Sequence, residues 1–197
     1  SDNTESIMSI SLHAGANLIS INVLPECNSL PCVFESMCSN SPNPTGVIGQ
    51  GEAATHLGNC VFQGSLSDID PYSGYWIMMS ENDVLLLMGE PTTRDAVYVL
   101  EEGANLISYP FRYATVLAEA IPVDAQASIS GIIGEGVAAN NMNGNWMGSL
   151  SSLEGSYGYW FIAEVDMEII FNGCDEQECA FLSRQSQNII TNPRSEE

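Results

Sequence analysis

Acidic side chains that occur close together are the first candidates for a chemical role. Asp68 and Asp70 stand two residues apart, and Glu81 and Asp83 enclose one asparagine ahead of an apolar run. Calcium takes several oxygen ligands, so a site needs carboxylates that converge with backbone carbonyls. These four acids are the candidate calcium ligands, and we predict no other cofactor. Exposed acids that contact only water are the alternative interpretation.

Tyrosine and tryptophan rings offer flat apolar faces on which sugar rings could stack. The candidates are two Tyr-Trp pairs and one further tryptophan, namely Tyr75, Trp76, Tyr159, Trp160 and Trp146. Each pair follows a glycine at matched places in a repeat described below, and Trp146 matches Phe62. Because both copies keep a large aromatic residue there, packing in the core is the alternative.

Few residues have the types or the spacing that catalysis needs. His13 and His56 are the only histidines, and the chain has neither a Gly-x-Ser-x-Gly elbow nor a His-Glu-x-x-His zinc helix. Paired carboxylates could serve a glycosidase, but a chain with 25 acids always contains some pair. We predict that the protein is not an enzyme.

The cysteines are even in number and predict disulfides. They are Cys27, Cys32, Cys38, Cys60, Cys174 and Cys179. Two local clasps, Cys27–Cys32 and Cys174–Cys179, plus a Cys38–Cys60 bridge form the simplest of many formally open pairings. Disulfides persist outside the reducing cytosol, which favours a secreted or cell-surface protein. A zinc site is less favoured because both histidines lie outside the two clasps.

The charge of the chain restricts its partners. Its 25 acids and 4 arginines give a formal charge of −21. Nucleic-acid affinity comes mainly from Lys and Arg that neutralise phosphates, so we predict no nucleic acid. An anionic membrane surface is disfavoured for the same reason. The sequence has no apolar run of about 18 residues, the length that spans a bilayer, so we also predict no membrane insertion.

Four sequence blocks occur twice in the same order. The block Gly-Ala-Asn-Leu-Ile-Ser begins at Gly15 and, 88 residues later, at Gly103. Related blocks follow at offsets of 84 or 85 residues, beginning at Gly46 and Gly131, at Gly64 and Gly148, and at Gly74 and Gly158. Such agreement indicates an internal duplication. We predict two repeat modules, residues 1–91 and 92–173, and then a disulfide clasp with a polar tail, residues 174–197.

Each copy predicts the same order of elements. Alternating residues predict a first strand over 7–12 and 96–101, which would form a hairpin with the following Asn-Leu-Ile-Ser strand around Gly15 or Gly103. A short helix is predicted over 33–37 and over 113–120, where Pro122 ends it. A glycine-punctuated segment follows, 46–54 or 131–139.

A second hairpin closes each copy. We predict pairing of residues 75–79 with 84–88, and of 159–163 with 167–171. The apolar runs at 85–87 and 169–171 predict strands that are buried on both faces. The fold class is therefore mainly β, with two tandem β-rich repeats, hairpins and one short helix in each, packed with pseudo-twofold symmetry.

The repeated blocks resemble a known module. Gly-x-Asn-Leu-Ile-Ser followed by Gly-Ser-Leu and Gly-Tyr-Trp is similar to the "GWNLIS…GYW" modules of large secreted and surface proteins, frequent in marine bacteria. Ala16 and Ala104 stand where the family usually has tryptophan. The resemblance covers the chain through Gly173 and implies an accessory or adhesive module of a multidomain extracellular protein. Similar stretches occur in marine phage structural proteins, which implies a virion appendage as another context.

These observations together predict a non-catalytic, extracellular protein-interaction or assembly module of a larger surface or secreted protein. Its partner would be another protein or a second copy in self-assembly. A carbohydrate-binding module, with glycan as the partner and calcium as an aid, is one alternative. A structural subunit of a filament or virion appendage is the other, because exposed hairpin edges can pair between subunits.

Overall fold

A computed structural model describes residues 6–39 and 42–174 of the chain. The fold is mainly β, as predicted, with seventeen strands and four short helices in these ranges. In the first repeat the elements are β1 (Ser6–Leu12), β2 (Gly15–Ser20), β3 (Val23–Leu24), α1 (Leu30–Val33), α2 (Glu35–Cys38), β4 (Gly46–Ile48), β5 (Ala53–His56), β6 (Phe62–Gly64), β7 (Gly74–Met79) and β8 (Asp83–Pro91).

Among the described residues, the second repeat lacks a counterpart of β3 and has two additional short strands. It contains β9 (Tyr98–Leu100), β10 (Gly103–Ile107), β11 (Thr115–Val116), α3 (Leu117–Ala120), α4 (Val123–Gln126), β12 (Ile129–Gly134), β13 (Val137–Met142), β14 (Asn145–Gly148), β15 (Ser152–Leu153), β16 (Tyr159–Ala163) and β17 (Met167–Ile169). The additional strands are β11 and β15.

Each repeat builds the same five-stranded antiparallel sheet from its duplicated blocks. The strand order is β2-β7-β4-β5-β6 in the first repeat and β10-β16-β12-β13-β14 in the second. These orders correspond strand for strand under the sequence offsets. The glycine-punctuated segments form the β4–β5 and β12–β13 hairpins, in which Val47 pairs with Ala54 and Ile132 with Ala139. The duplication therefore extends from sequence to topology.

The prediction of a first and a second hairpin in each repeat is wrong. β1 pairs with β8 and β2 with β7, so the two ends of each repeat form one long antiparallel ribbon that bends between two sheets. At the bend, residues 13–14 face residues 80–82, because Leu12 pairs with Asp83 and Gly15 with Met79. One extra residue on one strand is the geometry of a β-bulge, which turns a ribbon sharply. In the second repeat β9 pairs with β17 and β10 with β16.

The asparagine of the repeated block holds this bend. Asn17 accepts a hydrogen bond from the His13 N–H at 2.8 Å and donates to the His13 carbonyl at 2.8 Å. Asn105 makes the same two bonds with Glu101, at 2.9 and 2.8 Å. Both asparagines are buried. The same asparagine occurs in both repeats because, at the bend, backbone N–H and C=O groups lose their partners on the neighbouring strand and need a side chain to bond with.

The helices differ from their prediction. In the first repeat the helical region begins at Leu30 and is divided at Phe34 into α1 and α2. In the second repeat only the last turn of the predicted helix forms, since Thr115 and Val116 pair with Leu153 and Ser152. The helix does end before Pro122, and α4 begins directly after it.

Each repeat has its own hydrophobic core. Buried residues between Ile10 and Leu87 form one cluster, and those between Ala96 and Phe171 form the other. The prediction that the apolar runs are buried on both faces is wrong. Leu85 and Leu87 are buried, but the side chain of Leu86 between them is 55 % exposed. The strands of this ribbon pack on the core with one face only.

Two of the predicted disulfides are present. Cys27 is bonded to Cys32, and Cys38 is bonded to Cys60. The second of these joins α2 to the loop that precedes β6. Cys174 is also disulfide-bonded. Its predicted partner Cys179, like most of the 174–197 segment, lies outside the described residues.

The edge strands β2 and β10 each end at a backbone hydrogen bond to the other repeat. At the end of β2, the Ser20 N–H donates to the Ser156 carbonyl of the second repeat at 3.0 Å. After β10, the Ser108 N–H donates to the Tyr72 carbonyl of the first repeat at 3.0 Å. Ser20 matches Ser108 and Tyr72 matches Ser156 in the duplication, so the two repeats make the same contact to each other.

The tips of the β4–β5 and β12–β13 hairpins reach across in the same way. The Leu106 N–H donates to Gln50 Oε1 at 2.8 Å, and the Leu18 N–H donates to Glu135 Oε2 at 2.8 Å. Reciprocal contacts of this kind are what a twofold axis produces. The pseudo-twofold arrangement stays a prediction, which these contacts support.

The glycine that opens each Gly-Tyr-Trp block lies at this interface. A Cβ at Gly158 would come within 2.7 Å of the Ile19 carbonyl oxygen and 3.0 Å of Leu18 Cδ1. A Cβ at Gly74 would come within 2.9 Å of Leu106 Cδ1. Both positions therefore require the absence of a side chain for the repeats to approach.

Candidate functional site

The tyrosines of the Gly-Tyr-Trp blocks are buried beneath loops. The hydroxyl of Tyr75 accepts a hydrogen bond from the Asp70 N–H at 2.8 Å, and that of Tyr159 accepts one from the Glu154 N–H at 2.9 Å. Burial raises the pKa of Tyr75 to about 12 and that of Tyr159 further above its usual range. Rings held in this way anchor a loop to the core and present no free face to a ligand.

The three tryptophans are half-buried and separate in the sheets. Trp76 lies beside Leu18, and Trp160 occupies the matched position beside Leu106. Trp146 packs against the second core, and two strands, β12 and β13, separate it from Trp160. Its buried Nε1 has no hydrogen-bond partner among the described residues. Part of each ring reaches solvent, so glycan stacking by the tryptophans stays a prediction.

The candidate calcium ligands do not converge. Asp70 accepts hydrogen bonds from the Tyr72 N–H and the Ser73 hydroxyl, which makes it a turn residue. Asp83 likewise accepts a hydrogen bond from the Val84 N–H, at the start of β8. Within residues 6–39 and 42–174, no three His, Cys, Asp or Glu side chains form a group that could hold a metal.

A cleft runs between the repeats along β1. Its wider part has a volume of about 590 Å³ and lies between Ser9–Ser11 on one side and the second repeat on the other, where Glu135, Glu154 and Tyr157 line it. A narrower part of about 160 Å³ continues along Ser6–Ser9 and reaches Arg112. Volumes of several hundred Å³ are typical of ligand sites.

The sequence difference between the repeats explains why this cleft is open. On the matched side, Tyr72 packs edge-on against Tyr98 with ring centroids 5.4 Å apart. The equivalent residues beside β1 are Ser156 and Ile10, which are much smaller. The two tyrosine rings fill the one side, while the smaller pair leaves space on the other.

Charges across the interface also differ between the two sides. His13 Nε2 lies 2.7 Å from Glu135 Oε1 at one end of the cleft. The equivalent of His13 is Glu101, and the equivalent of Glu135 is the neutral Gln50. Glu135 therefore has a histidine beside it on this side, and on the matched side the position of Glu135 is taken by an uncharged amide. A backbone hydrogen bond to the Ala14 carbonyl, together with Glu135, raises the pKa of His13 above its usual value.

An apolar row lies on the outward face of the same ribbon. Ile7, Val84, Leu86 and Met88 are 67 %, 43 %, 55 % and 59 % exposed. Ile7 pairs across the strands with Met88, while Ser9 and Ser11 stand opposite Leu86 and Val84. We call these four apolar residues the apolar row. In the second repeat Glu168 and Asn172 replace Val84 and Met88, which interrupts the equivalent surface.

Comparison with family models, with curated proteins and with solved structures gave no match. Among the described residues no helix is long and apolar enough to cross a membrane.

Sequence reasoning did not identify the cleft or the apolar row. The cleft depends on contacts between residues more than 100 positions apart, such as His13 with Glu135. Two signals were present in the sequence, however. One is the substitution of Ser156 for Tyr72 between the copies, and the other is the continuous run of five apolar residues at 84–88 on β8, more than one buried face requires.

Proposed function

We propose that this chain is a non-catalytic, extracellular protein-interaction or assembly module. The apolar row is the observation that carries this proposal. Apolar side chains that gather on the surface of a soluble protein mark contact sites for other proteins. A protein of charge −21 that keeps four such residues together on two strands gains from covering them.

Other features support the same proposal. The Cys27–Cys32 and Cys38–Cys60 disulfides fit a protein that works outside the reducing cytosol. The bent ribbon that carries the row rests on a packed core and is joined to the second repeat by backbone hydrogen bonds. A rigid presentation lowers the entropic cost of binding.

Photo-cross-linking tests the proposal. Benzoylphenylalanine is introduced at Leu86 and, in a control protein, at Val123, which is 84 % exposed on α4. Each protein is irradiated in the extracellular fraction in which the chain occurs. We expect Leu86 to give a discrete cross-linked protein band that Val123 does not give.

A charge in the row provides the second arm of the experiment. With the cross-linker at Met88, the substitution Leu86→Glu should remove the band, whereas Ile170→Glu on the interrupted surface of the second repeat should leave it. Equal cross-linking from Leu86 and Val123, or a band that survives Leu86→Glu, would argue against the proposal.

A further inference from the structure

β1 is a strand with one open edge. It is the outer strand of the β1-β8-β3 sheet, and all seven of its residues pair with β8. Among the described residues its backbone hydrogen-bonds to no other partner. Alternate N–H and C=O groups of an antiparallel edge strand point away from its neighbour. Those of β1 point into the cleft, since Ser6–Ser11 line its wall.

The cleft has the shape that an added strand needs. It follows β1 along most of its length, and seven residues in extended conformation span about 23 Å. The narrow and wide parts share Ser9 and Ser156, so they are continuous. Both walls include small side chains, Ser9 and Ser11 on β1 and Ser156 on the second repeat. Tyr157, which is 50 % exposed, offers an apolar face opposite the strand.

Charge selects the kind of segment. Glu154 is exposed at the wide part, and its carboxylate forms no hydrogen bond or ion pair with the described residues. The chain as a whole carries −21, which attracts cationic partners and repels anionic ones. Arg112 is the one charged side chain among the described residues that line the narrow end, where it suits an acidic side chain.

We propose that the open edge of β1 binds an extended, basic segment of a partner protein as an added β-strand within the inter-repeat cleft. The inference rests on the proposed function, because it gives the protein partner of the module a chemistry and a docking strand. Main-chain hydrogen bonds to β1 supply the affinity, and alternate side chains of the segment contact Tyr157 and Glu154. The added strand extends the sheet whose outer face carries the apolar row.

A phage-displayed library of random 12-residue peptides tests the inference on the intact chain. We expect enrichment of sequences with alternating apolar residues and at least one Lys or Arg. A synthetic, fluorescently labelled peptide of the enriched sequence is then measured by anisotropy. Raising NaCl from 50 to 500 mM should weaken its binding about tenfold, because screening removes the attraction.

Two variants locate the peptide. Ser156→Tyr copies Tyr72 of the matched side and fills the cleft, so it should weaken binding at least ~10-fold. Glu154→Gln, which leaves the volume unchanged, should weaken it about threefold. Glu81→Gln at the β7–β8 bend is the matched control and should bind like the unmodified chain.

Hydrogen exchange with mass spectrometry identifies the mode of binding. A saturating amount of the peptide should slow amide exchange in residues 6–12 and leave residues 98–100 of β9 unchanged. Absence of an enriched peptide family would overturn the inference, and so would binding without protection of β1. Neither result would change the outcome of cross-linking at Leu86, so failure of this inference and failure of the proposed function can be told apart.

Discussion

Replacing Asn105 by alanine removes the clamp that holds the bend of the second repeat. The side chain accepts one hydrogen bond from the Glu101 N–H and donates two, to the carbonyls of Glu101 and Gly103 at 2.8 and 3.1 Å. A hydrogen bond contributes about 1 kcal/mol net, and a buried group left without a partner costs about 1–3 kcal/mol. Since Asn105 is 6 % exposed, we expect Asn105→Ala to lower the free energy of unfolding by about 2–3 kcal/mol.

Urea unfolding followed by tryptophan fluorescence measures this loss. Asn105→Asp keeps the acceptor but turns a charged oxygen toward two carbonyls, so at pH 7 it should be less stable than Asn105→Ala. Asn17→Ala should cost a similar amount, because Asn17 makes the equivalent bonds in the first repeat. The exposed Asn145→Ala is the control and should stay within ~0.5 kcal/mol of the unmodified chain. A loss for Asn105→Ala no larger than that of the control would refute the clamp.

Three further predictions concern the interface, the disulfides and pH. Gly158→Ala, whose Cβ would meet the Ile19 carbonyl at 2.7 Å, should cost about 1–3 kcal/mol in urea unfolding, and Gly131→Ala, with its nearest contact at 3.3 Å, should cost less. Replacing both cysteines of the Cys38–Cys60 disulfide by alanine should cost about 3 kcal/mol and lower the melting temperature by several degrees. Because the pKa of His13 is raised in the folded chain, protonated His13 stabilises the fold at pH values below the usual pKa of 6.5, and this stabilisation is lost as the pH rises through the folded pKa. An NMR titration of His13 should therefore show a midpoint above 6.5, and Glu135→Gln should lower that midpoint.

The duplication and most strands follow from the sequence because they depend on local order. Alternation over residues 7–12 predicts β1 to within one residue, and the repeated blocks place β2, β7, β10 and β16. Two disulfides are also as predicted, since short spacing limits the partners of Cys27. These features need only neighbouring residues or a comparison of the copies.

Pairing between strands could not be read from the same patterns. A turn-like Ala14-Gly15 predicts a hairpin, yet the ribbon bends there because Asn17 and Asn82 satisfy the backbone of residues 13 and 14. Both side chains act across the bend, and alternation carries no information on such contacts. The exposure of Leu86 was missed for a related reason, since an apolar run does not reveal which of its faces the core covers.

The reciprocal closure of β2 and β10 limits how copies of this module can be combined. Each copy contributes a segment to its neighbour and receives the equivalent segment in return, so in a pair the edges of β2 and β10 are both covered and neither is left for a third copy. Stacked solenoid repeats grow one unit at a time because each unit has two different ends. Here we expect a longer array to grow by pairs, and an odd number of copies to expose one unsatisfied strand.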